Sequence, residues 1–139
     1  MLVREIMNEE VITCPPSARI ADVARTMKQH NVGMVPITEN GQLLGVVTDR
    51  DITVYCVATG NIDRSARELI HGRPVTITPD SPVEEAAKVM TVNKVRRLCV
   101  TSNGKIHGVL SLDDLSGAGN ANLVAEALQQ IHQAQCLKH

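Results

Sequence analysis

Two short stretches of this chain pair a hydroxyl with a carboxylate at one spacing. Thr48-Asp49-Arg50-Asp51 follows Gly45-Val46-Val47, and Ser111-Leu112-Asp113-Asp114 follows Gly108-Val109-Leu110. The second stretch repeats the first 63 positions on, as from Asp51 to Asp114. Two chemistries suit this spacing. In a capping box, the hydroxyl accepts the backbone N–H three residues on, and the acid accepts the N–H of the hydroxyl residue. An acid in the first helical turn also suits the helix dipole. Alternatively the same atoms hold a ligand, because a helix start presents free N–H groups to an anion.

Other chemistries find little support. There is no nucleophile elbow, P-loop or dinucleotide glycine fingerprint, so an enzyme is not expected. Cys14, Cys56, Cys99 and Cys136 form no CxxC pair, and His30, His71, His107, His132 and His139 are scattered. A built metal site is therefore not expected. Cys99 reads as a buried small apolar residue rather than a reactive thiol.

The repetition extends well beyond the two motifs. At the same offset Ala24, Met27, Val32, Thr38, Asn40 and Gly41 recur as Ala87, Met90, Val95, Thr101, Asn103 and Gly104. Each copy opens with a short β-rich run ended by proline, Val11-Ile12-Thr13 and Val75-Thr76-Ile77. A helix follows in each, with Ile20, Val23, Ala24 and Met27, or Val83, Ala86, Ala87 and Met90, on one stripe. The methionines on that stripe read as core. Two apolar runs then flank Asn40-Gly41 and Asn103-Gly104, a strong hairpin signal because both turn residues tolerate positive φ. A second helix starts at each motif. The first is expected to reach Thr59 and stop at Gly60, and the second to be cut short by Gly117 and Gly119.

Each copy thus reads β-α-β-β-α, an α/β (α+β) fold. The expected organisation is repeat 1 over residues 1–60, a connector over 61–73, repeat 2 over 74–118 and a helical tail over 119–139. Met1 to Met7 is a short amphipathic lead-in, with Ser65 to Ile70 as its counterpart. Asn120 or Asn122 can cap a last helix carrying Leu123, Val124, Ala127, Leu128 and Ile131 on one stripe. That stripe either covers the core or meets a partner chain.

Two tandem units of this kind, each ending in Gly-apolar-x-Ser/Thr-x-x-Asp, resemble the cystathionine-β-synthase (CBS) domain pair, or Bateman module. Arg4-Glu5-Ile6-Met7, Val32-Gly33-Met34-Val35-Pro36-Ile37 and Gly45 to Asp51 carry the likeness. The compact build is similar to the small hypoxic-response type of CBS-pair protein. Cys99 in place of Pro36, and His107 in place of Leu44, depart from the pattern. The resemblance implies two pseudo-twofold repeats packed as one pair plus a C-terminal helix. It also implies a regulatory module that binds an adenine nucleotide such as AMP, ADP or ATP and signals to a partner protein.

In that family the Asp accepts from ribose hydroxyls and the Ser/Thr sits beside the phosphate. A carboxylate has two oxygens for the two hydroxyls of a cis-diol. Each site joins one repeat's motif to strand residues of the other. The resemblance therefore implies Thr48, Arg50 and Asp51 with Val95, Arg96 and Arg97 at one site. Ser111 and Asp114 with Ile12, Thr13, Val32, Gly33 and Met34 make the other. Arg50 favours a polyphosphate at the first, whereas Asp113 opposes phosphate at the second or calls for Mg²⁺. No cofactor is required beyond such a ligand.

The 139 residues suit one ordinary domain or two small modules sharing a core. Tyr55 is the sole aromatic, so aliphatic residues must fill the interior and flank any adenine. A formal net charge of −1 gathers neither nucleic acid nor an anionic membrane. No signal peptide and no long apolar run is evident, so a cytoplasmic setting is expected. The remaining partners expected are a second copy, as a homodimer, and an unidentified client protein. The rival reading is a structural adaptor with degenerate pockets.

Overall fold

In the computed structural model, which describes residues 1–137, the chain divides into two compact units. One contains Val11–Pro74; the other joins Met1–Glu10 to the chain from Val75 onward. Both are mixed α+β.

The Val11–Pro74 unit holds helix α1 (Ile20–His30), strands β1 (Met34–Glu39) and β2 (Gln42–Thr48), and helix α2 (Asp49–Ile52). Ile20, Val23 and Met27 form the buried stripe of α1, as the spacing predicts. The helix ends where Asn31 turns left-handed at φ 54°, and its N–H returns to the Met27 carbonyl. The β1–β2 turn places Asn40 and Gly41 at φ 54° and 81°, the conformation that Asn-Gly tolerates best. A bulge shifts the ladder between Ile37 and Thr38. After α2 the chain continues through a π-helical turn, Thr53–Val57, and turns at Gly60 with φ 74°.

The expected strand Val11-Ile12-Thr13 does not form. Only Cys14 makes a bridge, parallel to Ile37, with its N–H on the Pro36 carbonyl at 3.1 Å and its carbonyl accepting from Thr38 at 3.0 Å. Pro15 and Pro16, which follow Cys14, bring no N–H to a ladder and stop this bridge from extending onward.

The other unit repeats the plan. It contains strand β3 (Thr76–Ile77), helix α3 (Val83–Asn93), strands β4 (Arg97–Ser102) and β5 (Lys105–Ser111), and helices α4 (Leu112–Gly117) and α5 (Ala121–Leu137). β3 runs parallel to β4, and β4 pairs antiparallel with β5. The bulge recurs between Val100 and Thr101, and Asn103-Gly104 repeats the turn at φ 54° and 80°. Aliphatic residues fill the core, with Met90, Leu98, Leu110 and Leu115 fully buried.

The stripe on α5 packs against its own unit. Ala127 and Ile131 are buried at 3% and 0% exposure among the α3 and α4 core residues. It covers its own unit, and Val124, Ala127 and Ile131 are not left for a partner chain. Cys136 and His139 lie outside the residues whose side chains are described.

The lead-in and its expected counterpart are both 3₁₀ turns, Val3–Glu5 and Ala66–Leu69. Neither α1 nor α3 has a side-chain cap. Instead Ile20 N–H donates to the Arg64 carbonyl at 3.0 Å, and Val83 N–H to the Met1 carbonyl at 3.1 Å. Each segment therefore satisfies a helix start that the local sequence leaves open.

Cys14, Cys56 and Cys99 are free and buried. Burial pushes the Cys99 thiol up from 9.0 to about 11. This fits a packed, unreactive thiol. In the unfolded chain the thiol ionises near 9.0, so between there and about 11 the unfolded state binds fewer protons than the native one. The stabilising contribution is complete below pH 9 and falls away as pH rises to 11, by about 2–3 kcal/mol. Urea midpoints of wild type and Cys99→Ala at pH 8 and 10.5 check this. The wild type should lose more than the variant over that interval.

Candidate functional site

Both hydroxyl–carboxylate motifs fold into the same helix start. Thr48 and Ser111 end β2 and β5 in extended conformation, at φ −106° and −115°. Thr48 Oγ1 accepts the Asp51 N–H at 3.1 Å, and Asp51 Oδ2 accepts the Thr48 N–H at 2.9 Å. In the other copy Ser111 Oγ accepts the Asp114 N–H at 3.1 Å, and Asp114 Oδ2 accepts the Ser111 N–H at 2.8 Å. These are complete capping boxes. The capping chemistry expected of the spacing is therefore present in both copies.

Capping does not exhaust the carboxylates. Asp51 and Asp114 are half-buried, and the box occupies one acceptor position on one oxygen in each. An ionised carboxylate offers about four. Each motif retains capacity for a ligand's hydroxyls.

The entry to each hairpin lies beside the motif of its own unit. Met34 is in register with Thr48, and the Gly33 carbonyl accepts the Asp49 N–H at 3.0 Å. Val32, just before, packs partly buried on that unit's core. Correspondingly Arg97 is in register with Ser111, the Arg96 carbonyl accepts the Leu112 N–H at 3.0 Å, and Val95 packs on its own core. Thus Gly33 and Met34 lie beside Thr48 and Asp49, while Arg96 and Arg97 lie beside Ser111 and Leu112. Ile12 is half-buried and Thr13 exposed on the segment leading to Cys14.

Asp49 is a residue that pattern reading passed over. A Cβ on Gly33 would stand 3.1 Å from Asp49 Oδ2, so this glycine makes room for a carboxylate. In the second copy the same two positions are Arg96 and Leu112, and Leu112 is 3% exposed in the core. The first motif therefore carries Asp49, Arg50 and Asp51, the second only Asp113 and Asp114 as charged groups. Comparing the copies position by position is the signal that would have found Asp49.

The motif glycines share another constraint. A Cβ on Gly45 would lie 2.5 Å from Ile70 Cγ2, and one on Gly108 would lie 2.8 Å from Met7 Sδ and 2.9 Å from the Asn8 carbonyl oxygen. Ile70 and Met7 stand at equivalent positions of the two short segments. The Gly before each motif is there because another segment crosses the strand at contact distance.

Among the described residues, no group of three or more His, Cys, Asp or Glu is placed to hold a metal ion. No described helix is long and apolar enough to cross a membrane.

Comparison with known proteins agrees with this construction. Residues 3–58 and 66–120 match the family model of the CBS domain. The chain is 34% identical over 115 residues to the CBS domain-containing protein YhcV of Bacillus subtilis, covering 82% of each. Hypoxic Response Protein I, solved with two coordinated zinc ions, is similar at 28% identity and a TM-score of 0.77, over 84% of this chain and 98% of that one. CBSX2, solved in complex with AMP, shares the fold at 22% identity and a TM-score of 0.74, over 84% of this chain and 94% of that one. With the matched segments spanning both repeats and each repeat bearing the same capped motif, the chain belongs to the CBS-domain family, as two CBS domains in tandem.

Proposed function

We propose that this chain is a non-catalytic regulatory module that binds an adenine nucleotide at its Ser/Thr-x-x-Asp motifs and passes that state to a partner protein. The observation that carries the reading is the twice-built helix start, where a half-buried carboxylate keeps acceptor capacity beside a helix N-terminus. The ribose hydroxyls would donate to Asp51 or Asp114, and the phosphate would lie against the first turn. A likeness of fold to CBSX2, which was solved with AMP, supports the ligand class. Aliphatic residues would flank the adenine, since Tyr55, the sole aromatic, packs in a tilted arrangement against His71 at a centroid distance of 4.5 Å. A homodimer belongs to the same proposal, and light scattering on the purified chain checks it.

The two motifs would differ in ligand charge. Arg50 is exposed at the first, where a polyphosphate would gain a charge-assisted partner. At the second, Asp113 occupies that place, and a polyphosphate would need to bring Mg²⁺. Asparagine is the informative replacement, because it keeps an acceptor oxygen for the cap while removing the charge. A charge-assisted bond contributes about 1.5–3 kcal/mol, so each Asp→Asn change should weaken its own site by roughly tenfold or more. Calorimetry with AMP and ATP reads the result. Asp51→Asn should reduce ATP binding more than Asp114→Asn does. Equal losses for both ligands would defeat the asymmetry, and wild-type affinity in both variants would defeat the nucleotide reading.

One observation favours a ligand-free adaptor instead. The hydroxyl and carboxylate of each motif already bond to each other's backbone, so the fold is served without a ligand. Mass spectrometry of small molecules released on denaturing the purified protein separates the two readings. A retained adenosine compound supports the nucleotide module; its absence, with no thermal shift by AMP or ATP, supports the adaptor.

A further inference from the structure

Arg96 joins two elements of its unit. Its carbonyl accepts the Leu112 N–H at 3.0 Å in the first turn of α4, next to Ser111 and Asp114. Its guanidinium donates to His132 Nε2 on α5; arginine has no acceptor, so the imidazole nitrogen must accept. Both side chains are exposed and take no part in the core. At the matching position of the other repeat, Gly33 performs the backbone task alone, accepting the Asp49 N–H at 3.0 Å. The backbone bond is thus common to both repeats, whereas the side-chain tether to a further helix belongs to one.

We infer that His132 is a positioning residue that holds the Arg96 guanidinium on α5, so that a polyphosphate drawing on Arg96 takes it from α5 and loosens that helix. This rests on the nucleotide reading above, with phosphate as the alternative partner of Arg96. The direction follows from charge. An anionic phosphate adds the attraction of opposite charges and can take two parallel N–H bonds from the fork, neither of which a neutral imidazole nitrogen offers, so phosphate displaces imidazole rather than the reverse. Ligand arrival would then be reported at α5, the helix whose buried stripe closes the unit's core.

The test uses ATP with Mg²⁺, which the acidic Asp113-Asp114 motif calls for, on the full chain and three variants, His132→Ala, Arg96→Ala and the double change. All alter exposed side chains and should fold as the wild type does. His132→Ala should tighten ATP roughly threefold by releasing the arginine, and Arg96→Ala should weaken it. In the Arg96→Ala background the His132 change should have no effect. Amide exchange in α5 should quicken on adding ATP to the wild type but not to Arg96→Ala. If the wild type binds neither AMP nor ATP, both this inference and the nucleotide reading fall; if it binds AMP but not ATP, this inference alone falls. If it binds ATP and His132→Ala matches it, or the tightening persists without Arg96, this inference alone falls.

Discussion

Gly108→Ala should lower stability by about 2–3 kcal/mol, the upper part of the range for overpacking a filled site, and by more than Gly45→Ala does. The added Cβ at Gly108 meets the Asn8 carbonyl oxygen at 2.9 Å as well as Met7 Sδ at 2.8 Å. That carbonyl is fixed, because Asn8 and Val109 exchange backbone bonds at 2.9 and 3.0 Å. Relief of the clash requires breaking the bridge that holds the lead-in. At Gly45 all three nearest atoms belong to the Ile70 side chain, which can turn aside at the cost of some burial. The distinguishing measurement is a pair of double-mutant cycles read by urea unfolding. Ile70→Ala should absorb most of the Gly45→Ala penalty, whereas Met7→Ala should leave most of the Gly108→Ala penalty in place. Full rescue by Met7→Ala would show that the strand crossing is looser than described.

Ile131→Ala should cost about 2–4 kcal/mol, because a fully buried aliphatic side chain leaves a cavity that packed neighbours refill only in part. Leu128 on the same helix is only partly buried, so Leu128→Ala should cost less. The character of the effect matters as much as its size. A stripe used against a partner would, when truncated, lower the oligomeric mass and make the midpoint depend on protein concentration. With the stripe closing its own unit, the urea midpoint should fall by an amount independent of concentration. A concentration-dependent loss would return α5 to the role of an interface.

Much of this protein was legible in its sequence because its elements announce themselves locally. The apolar stripes of α1 and α3 follow helical spacing, the Asn-Gly turns fix both hairpins, and the caps at Thr48 and Ser111 are complete within four residues. Repetition strengthened every one of these readings, since an accidental pattern seldom recurs in order. The Val11–Thr13 strand was not legible correctly. Its composition suits a ladder, but pairing with β1 is confined to Cys14, and Pro15 and Pro16 stop it from extending onward.

By itself the sequence determined the mixed α+β class, the doubled plan, the motif positions and the charge difference between Arg50 and Asp113, because each depends on neighbours a few residues apart. Tertiary structure alone decided that α5 covers its own core, that Asp49 lies over Gly33, and that Arg96 reaches His132. It also decided why Gly45 and Gly108 must be glycine and what caps α1 and α3. Those facts depend on segments distant along the chain meeting at contact distance, where a single methyl group or carbonyl settles the outcome and no periodicity records it.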